Sequence, residues 1–164
     1  MNAVIIRPAG IQDLEALCRL YFEFHEFHVR GVPDRLVSLG EPDAYDCSEM
    51  YPKLEKIINN QDSVIFLAEV AHKPVGLAEV YVRQDEPNPA RVSRRYGHLQ
   101  SLMVQEKFRR HGVGTRLVEI AEKWAREKGA TEMQLEIWEF AEGPLEFYQH
   151  KGYRTLRRTL LRKL

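Results

Sequence analysis

A short stretch beyond the middle of the chain combines residue types suited to holding an anion. Arg109, Arg110 and His111 precede Gly112-Val113-Gly114, and an amphipathic helical pattern follows. The first turn of a helix carries unpaired N–H groups and a partial positive charge, and glycine lets backbone approach a bulky ligand without a Cβ in the way. The pattern therefore predicts a phosphate or pyrophosphate site at the start of this helix. A solvated basic turn is the alternative interpretation.

Two well-known phosphate loops do not account for this turn. A dinucleotide-binding loop needs a third glycine and a later acidic residue, and a P-loop needs Gly-Lys-Ser/Thr. The turn matches neither pattern. What it offers is Arg-x-x-Gly-x-Gly, separated by four residues from the apolar run Leu99–Val104, which predicts a strand leading into the turn.

Length and composition exclude several classes of protein. The chain has 164 residues, with Lys+Arg and Asp+Glu balanced at 24 each, which fits one domain (1–164) without an electrostatic case for binding nucleic acid or an anionic membrane. No run of 18 apolar residues predicts a membrane span, and no His/Cys/Asp spacing predicts a metal site. Met1–Pro8 lacks a secretory pattern. Cys18 and Cys47 form no metal spacing, and both are expected to be reduced thiols, with Cys18 buried. The chain is expected to be cytoplasmic.

The helices and strands that would hold the anion site in place are predicted from apolar periodicity. Helices are expected over Asp13–Val29, Glu49–Asn59, the stretch from Val113 to Gly129, and Pro144–His150. Strands are expected over Val4–Ile6, Ser63–Val70, Val75–Val82, Gly97–Val104, Glu132–Trp138 and Tyr153–Leu161. Consecutive strands predict antiparallel pairs, and the strand–helix–strand unit from Gly97 to Trp138 predicts a parallel pair. The expected fold is therefore α/β, with a mixed, mostly antiparallel sheet flanked by helices on both faces.

Four segments in this order resemble the GNAT superfamily of acetyltransferases over nearly the whole chain. They are Ile6-Arg7-Pro8-Ala9, Val75-Gly76, the Arg109-x-x-Gly112-x-Gly114 loop, and Phe147-Tyr148-Gln149-His150-Lys151-Gly152-Tyr153. The resemblance implies an acetyl-CoA-dependent N-acetyltransferase that acts on a primary amine of a small molecule, peptide or protein. Acetyl-CoA and an amine acceptor are then the expected partners. Nucleic acid, membrane and metal are not expected, and a homodimer is allowed for.

The resemblance also implies where the cofactor lies. Backbone groups of Leu102, Met103 and Val104 would pair with the pantetheine arm, in a gap between two splayed strands. The pyrophosphate would be held by the basic turn and the first helical turn, that is by Arg109, Arg110, His111, Gly112, Val113, Gly114 and Thr115. Ala141 and Pro144 stand where many members carry Asn and Ala, so one polar contact to the CoA arm would be missing.

Candidates for the chemical step come from the same comparison. Tyr148 is the expected proton donor to the CoA sulfur, with a packing role as its alternative. Glu79, His98 and Glu136 are the base candidates, and the sequence leaves the choice among them open. Tyr21, Phe24 and His28 are expected to contact the acceptor. A non-catalytic acyl-CoA sensor, or an interaction domain without a ligand, remains the alternative function.

Overall fold

In the described part of the chain, five strands form one sheet, in the same order as in the sequence. The computed structural model describes residues 3–164; Met1 and Asn2, the start of the N-terminal segment considered above, lie outside the described part. The strands are β1 (Val4–Pro8), β2 (Ser63–Val70), β3 (Lys73–Gln84), β4 (Arg95–Val104) and β5 (Glu132–Leu135). The first three pairings are antiparallel, and β5 pairs with β4 in parallel. The predicted mixed sheet is confirmed.

Among the residues that the structure describes, four helices cover the two faces of the sheet. They are α1 (Leu14–Gly31), α2 (Tyr51–Ile58), α3 (Val113–Glu127) and α4 (Leu145–His150), with 3₁₀ turns at Ile11–Asp13, Pro42–Ala44 and Glu106–Phe108. Leu17 and Leu20 of α1 pack with Leu77 and Met103 on one face. Leu117 and Ala121 of α3 pack on the other face, as does Tyr148 of α4. Within residues 3–164, no helix is long and apolar enough to cross a membrane.

Two predicted strands differ from the structure. The strand expected over Glu132–Trp138 ends at Leu135, and the segment expected as a strand over Tyr153–Leu161 carries no regular structure. In the second segment the doublets Arg157-Arg158 and Leu160-Leu161 break the alternation that a half-buried strand needs, so neither face can be buried whole. Leu160 is accordingly 89% exposed.

The prediction that Cys18 is a free thiol is wrong. Cys18 is buried as expected, but it forms a disulfide with Cys47, 29 residues further along the chain. The pairing was missed because nothing in the spacing shows that residues 32–50 fold back along α1. Glu26 of α1 fixes this segment by accepting hydrogen bonds from Ser38 Oγ at 2.9 Å and from the Leu39 N–H at 2.7 Å.

An ion-pair network fixes the start of α1 against the sheet. The Arg7 guanidinium donates to both carboxylate oxygens of Asp13, at 2.7 and 2.8 Å, and to Glu69 of β2 at 2.7 Å. Asp13 also accepts the Gly10 N–H at 2.8 Å. The Arg7 hydrogen bonds and the Gly10 N–H hold the pKa of Asp13 below its ordinary value against the opposing effect of burial. The network joins β1, β2 and the first turn of α1 at one point.

Candidate active site

A β-bulge in β4 shapes the middle of the sheet. Glu79 of β3 lies opposite Ser101, but the next residue, Val80, lies opposite Leu99, so Gln100 is an extra residue in β4. A bulge turns the following side chains to the other face. Leu99 therefore packs on the α3 side, whereas Ser101 reaches Glu79 on the α1 side.

The two parallel strands part next to this bulge. Pairing of β4 with β5 runs from Tyr96–Glu132 to Leu99–Leu135, while β4 itself continues to Val104. Residues 100–104 of β4 therefore border an open gap on that side. Since an unpaired strand edge offers free N–H and C=O groups, an extended ligand can pair with it.

Backbone alternation decides which groups face the gap. The Gln105 N–H donates to the Val75 carbonyl at 2.9 Å, so Val104 and Gly76 form a non-hydrogen-bonded pair. Leu102 and Val104 then direct their backbone groups into the gap, and Met103 directs its own toward β3. Of the three residues expected to pair with pantetheine, the alternation favours Leu102 and Val104 and pairs Met103 with β3.

The glycine turn has the backbone that close approach of an anion requires. Gly112, which caps α3, has φ +80°, and a Cβ built on it would meet no atom within 4 Å. Arg110 and His111 are exposed beside it. A Cβ on Gly114 would lie 3.6 Å from Phe147 of α4 and 3.7 Å from Val104. Three elements therefore meet at the first turn of α3: the end of β4, the helix N-terminus with its free N–H groups, and α4.

Arg109 differs from its expected place among the phosphate ligands. Its Nε donates to the Val104 carbonyl at 2.9 Å, and its guanidinium lies 4.6 Å from the centroid of the Phe27 ring in α1. The guanidinium is thus directed across the gap toward α1. Its hydrogen bond uses the carbonyl of Val104, one of the two residues whose backbone groups face the gap.

A cluster of polar side chains lies on the α1 side of the sheet, beside the bulge. Glu79 is buried and accepts three O–H hydrogen bonds: from Tyr21 of α1 at 2.6 Å, from Tyr81 at 2.6 Å and from Ser101 at 3.2 Å. His98 lies directly opposite Tyr81 in the sheet, and opposite residues share a face. We call Tyr21, Glu79, Tyr81, His98 and Ser101 the α1-side cluster.

His98 has the properties of a base within this cluster. It is half-buried, and its Nε2 lies 3.2 Å from the Gln100 side chain. Burial, followed by the positive charge of Arg83, lowers the pKa of His98 from its ordinary value of 6.5. The imidazole is therefore neutral at pH 7 and has a lone pair available.

The other two proton-transfer candidates lie elsewhere. Glu136 is exposed beyond β5, where its carboxylate pairs with Arg157 at 3.3 Å. Tyr148 is buried on the α3 side, 5.2 Å from the Phe147 ring and 5.5 Å from the Tyr153 ring. Burial raises the pKa of Tyr148, so the phenol keeps its proton. The structure thus brings Glu79 and His98 together and sets Tyr148 on the opposite side.

The two remaining acceptor candidates belong to an aromatic group at the end of α1. The Phe24 and His28 rings lie 4.4 Å apart, and His28 Nδ1 lies 2.8 Å from the Phe24 carbonyl oxygen. Phe140, from the segment after β5, packs against Phe27 at 5.7 Å and against His28 at 6.2 Å. The segment that follows β5 therefore reaches α1 across the open end of the gap.

Sequence reasoning missed Tyr81, Ser101 and Phe140. Tyr81 could have been predicted from the sequence, because residues two apart on a strand share a face and Glu79 was already a candidate. Ser101 could not have been predicted, since the extra residue at Gln100 reverses the alternation and no local pattern marks it. Phe140 lies in an irregular segment, where periodicity gives no information.

Comparisons with known proteins agree with this arrangement. The model of the acetyltransferase (GNAT) family matches residues 16–153. A mutant of the BH1408 protein from Bacillus halodurans superposes with a TM-score of 0.85 at 24% identity, covering 98% of this chain and 99% of that one.

Two further solved structures share the fold at lower similarity. The aminoglycoside N-acetyltransferase AAC(6')-Iy in complex with CoA gives a TM-score of 0.70 at 22% identity, covering 99% of this chain and 96% of that one. A structure described as a transcriptional regulator from Bacillus halodurans C-125 gives 0.71 at 20% identity, covering 99% and 100%. At these identities the superpositions show the fold alone, whereas the family match covers most of the chain, and the chain therefore belongs to the GNAT acetyltransferase family.

Proposed function

We propose that this protein is an acetyl-CoA-dependent N-acetyltransferase that acts on a primary amine. The supporting observation is that β4 and β5 part beside a buried carboxylate, Glu79, while a glycine turn opens α3 at the far end of the same gap. The end of the gap beside Glu79 suits an amine, and the end at the glycine turn suits a pyrophosphate. AAC(6')-Iy, of the same fold, has been crystallised with CoA.

The residues at the gap fit acetyl-CoA. The open space at Gly112 and the free N–H groups of Val113, Gly114 and Thr115 suit the pyrophosphate, and the exposed Arg110 and His111 add positive charge beside it. The backbone groups of Leu102 suit the pantetheine arm. When bound, acetyl-CoA supplies an acetyl group activated as a thioester.

The side chains around the gap divide the remaining tasks. Glu79 accepts an N–H bond from the acceptor, and neutral His98 takes the proton that an ammonium must lose before nitrogen can attack carbon. Tyr148 holds a proton at its Oη that can pass to the leaving sulfur. The neutral nitrogen attacks the thioester carbon, so the nitrogen–carbon bond forms, and the carbon–sulfur bond breaks as Tyr148 gives its proton to sulfur. The nitrogen gives up a second proton as it becomes an amide, and Tyr148 regains one through solvent, so the ammonium and the thioester yield an amide, a free thiol and the one proton held by His98. Phe24 and His28 would line the approach of the acceptor.

An amine panel tests the proposal. Purified protein is mixed with acetyl-CoA and, in turn, spermidine, kanamycin, phenethylamine and a lysine-containing peptide, and release of free thiol is followed. We expect thiol release above the hydrolysis rate with at least one amine. Acetyl-CoA binding in calorimetry without thiol release would favour the alternative, a non-catalytic acyl-CoA sensor. Absence of acetyl-CoA binding would overturn the proposal.

Location and assembly are also proposals. The sequence favours the cytoplasm, but the Cys18–Cys47 disulfide weighs against a strongly reducing compartment. A homodimer is compatible with the long exposed segment 154–164. Fractionation of cells under thiol-blocking conditions, followed by sedimentation of the purified protein, tests both.

A further inference from the structure

The bonding around Glu79 is more elaborate than a buried glutamate needs. Each carboxylate oxygen receives a short phenolic hydrogen bond: Tyr21 donates to Oε2 and Tyr81 to Oε1, both at 2.6 Å. Ser101 adds a longer bond to Oε2 at 3.2 Å. One donor per oxygen would satisfy the group, and the two phenols also fix the rotation of the carboxylate plane.

The donors come from three separate elements. Tyr21 lies on α1, Tyr81 on β3 and Ser101 on β4. A carboxylate has about four lone-pair positions, and three are used here. The position that remains can accept a single hydrogen bond, so its direction is set by where α1, β3 and β4 place their hydroxyls.

We propose that Tyr21, Tyr81 and Ser101 are positioning residues that aim one lone pair of Glu79 at the acceptor nitrogen. Glu79 is then the anchor of the acceptor ammonium, and His98 is the group that removes its proton. This inference rests on the proposed acetyl transfer. It also gives Tyr21 a role different from the direct acceptor contact expected from sequence.

His98 is well placed for that division of labour. Diagonal neighbours on adjacent strands lie about 7 Å apart, and Glu79 and His98 have this relationship through the Tyr81–His98 pair. A nitrogen bonded to Glu79 can thus face the imidazole directly or through one water. No oxygen of Glu79 has to take up the proton itself.

Binding of amine to the cofactor-free protein tests the positioning role. The probe is the panel amine that wild-type protein acetylates fastest, and its Kd is measured by calorimetry for Tyr21→Phe, Tyr81→Phe and Ser101→Ala. Since a hydrogen bond to a charged group is worth roughly tenfold or more in binding, we expect Kd to rise about tenfold for each phenylalanine variant and less for Ser101→Ala. The KM for acetyl-CoA should stay within about twofold of wild type.

A matched control and a double-mutant cycle separate positioning from packing. Tyr153 also donates to a glutamate, Glu122, at 2.8 Å, but on the α3 side, so Tyr153→Phe should leave amine binding unchanged. In a Glu79→Gln background, Tyr21→Phe should add little, because it acts through Glu79. Additive losses, or wild-type amine affinity in both phenylalanine variants, would overturn the inference. Failure of wild-type protein to bind acetyl-CoA would instead overturn the proposed function.

Discussion

His98 and Ser101 project from the same face of β4 although they are three residues apart. Tyr81 lies opposite His98, Glu79 lies opposite Ser101, and the extra residue Gln100 lies between the two pairs. In a regular strand, residues three apart point to opposite faces. The bulge therefore gathers a base candidate and a hydroxyl donor around one carboxylate, at the point where β5 leaves the sheet.

The glycine turn gives the first prediction. Gly112→Asp should weaken acetyl-CoA binding on the order of a hundredfold, because a negative charge a few Å from a phosphate costs several kcal/mol. Gly40 is a matched control, since it also has a positive φ and open space where a Cβ would lie, but it belongs to the segment 32–50 beside α1. Calorimetry with acetyl-CoA should show near wild-type affinity for Gly40→Asp. Equal affinities for the two variants would remove the turn from the cofactor site.

Tyr148 gives the second prediction. Tyr148→Phe keeps the ring that packs between Phe147 and Tyr153 and loses the proton donor. General acid catalysis contributes roughly 10²–10⁴-fold, so kcat should fall on the order of a hundredfold with KM nearly constant. Tyr153→Phe, in the same aromatic group, should retain kcat. A Tyr148→Phe enzyme with normal kcat, under conditions where chemistry limits turnover, would leave Tyr148 a packing residue.

The pKa of His98 gives the third prediction. Because the pKa of His98 in the folded chain lies below the ordinary value of 6.5, the fall of kcat/KM on the acid side should have its midpoint below pH 6.5. Arg83→Gln removes a positive charge that disfavours protonation, so the acid limb should move to higher pH. Arg91→Gln, in the exposed loop between β3 and β4, serves as control. An unmoved limb in Arg83→Gln would argue against His98 as the base.

Stability should respond to acid through Asp13. The pKa of Asp13 is lower in the folded chain than in the unfolded one, so its contribution is complete above about pH 4 and is lost as pH falls through the lowered value. Urea titrations from pH 7 to pH 2 should show that the free energy of unfolding depends less on pH for Asp13→Asn than for wild type. At neutral pH the variant should lose about 2 kcal/mol of that free energy. Asp43→Asn, at an exposed aspartate in the 3₁₀ turn Pro42–Ala44, should follow wild type. Parallel curves for Asp13→Asn and wild type would contradict the assignment.

The disulfide gives a fifth prediction. A bond that closes a loop of 29 residues stabilises a protein by about 3.5 kcal/mol in the chain-entropy model. The double variant Cys18→Ala, Cys47→Ala should therefore unfold at a lower urea concentration than the oxidised wild type. Reductant should destabilise the wild type but not the double variant. Two reactive thiols in native protein purified without reductant would show that the bond does not form.

The fold was largely predictable, and the reason is visible in particular elements. The apolar stripe Val113, Leu117, Ala121 predicted α3, and two apolar runs joined by a short turn predicted the β2–β3 hairpin. The strand expected over Glu132–Trp138 was predicted too long because Ile137 continues the alternation of Met133 and Leu135 after the backbone has left the sheet. Local periodicity holds no information about that departure.

The site was predictable only in part. The glycine turn and Tyr148 belong to contiguous motifs, so both could be singled out as candidates from the sequence. The α1-side cluster is assembled from α1, β3 and β4, and its geometry depends on one extra residue, Gln100. Cys47 and Phe140 reach α1 from irregular segments, so their partners could not be deduced from spacing.

The Arg7–Asp13 pair has a consequence for genetics. Tyr21 lies two helical turns beyond Asp13, so the height of its hydroxyl over Glu79 depends on where α1 begins. Substitutions at Arg7 would then be recovered in a screen for lost acetylation even where the protein accumulates to normal levels. The codon for residue 7, distant in sequence from the residues that bond to Glu79, would map as if it belonged to the proposed acceptor site.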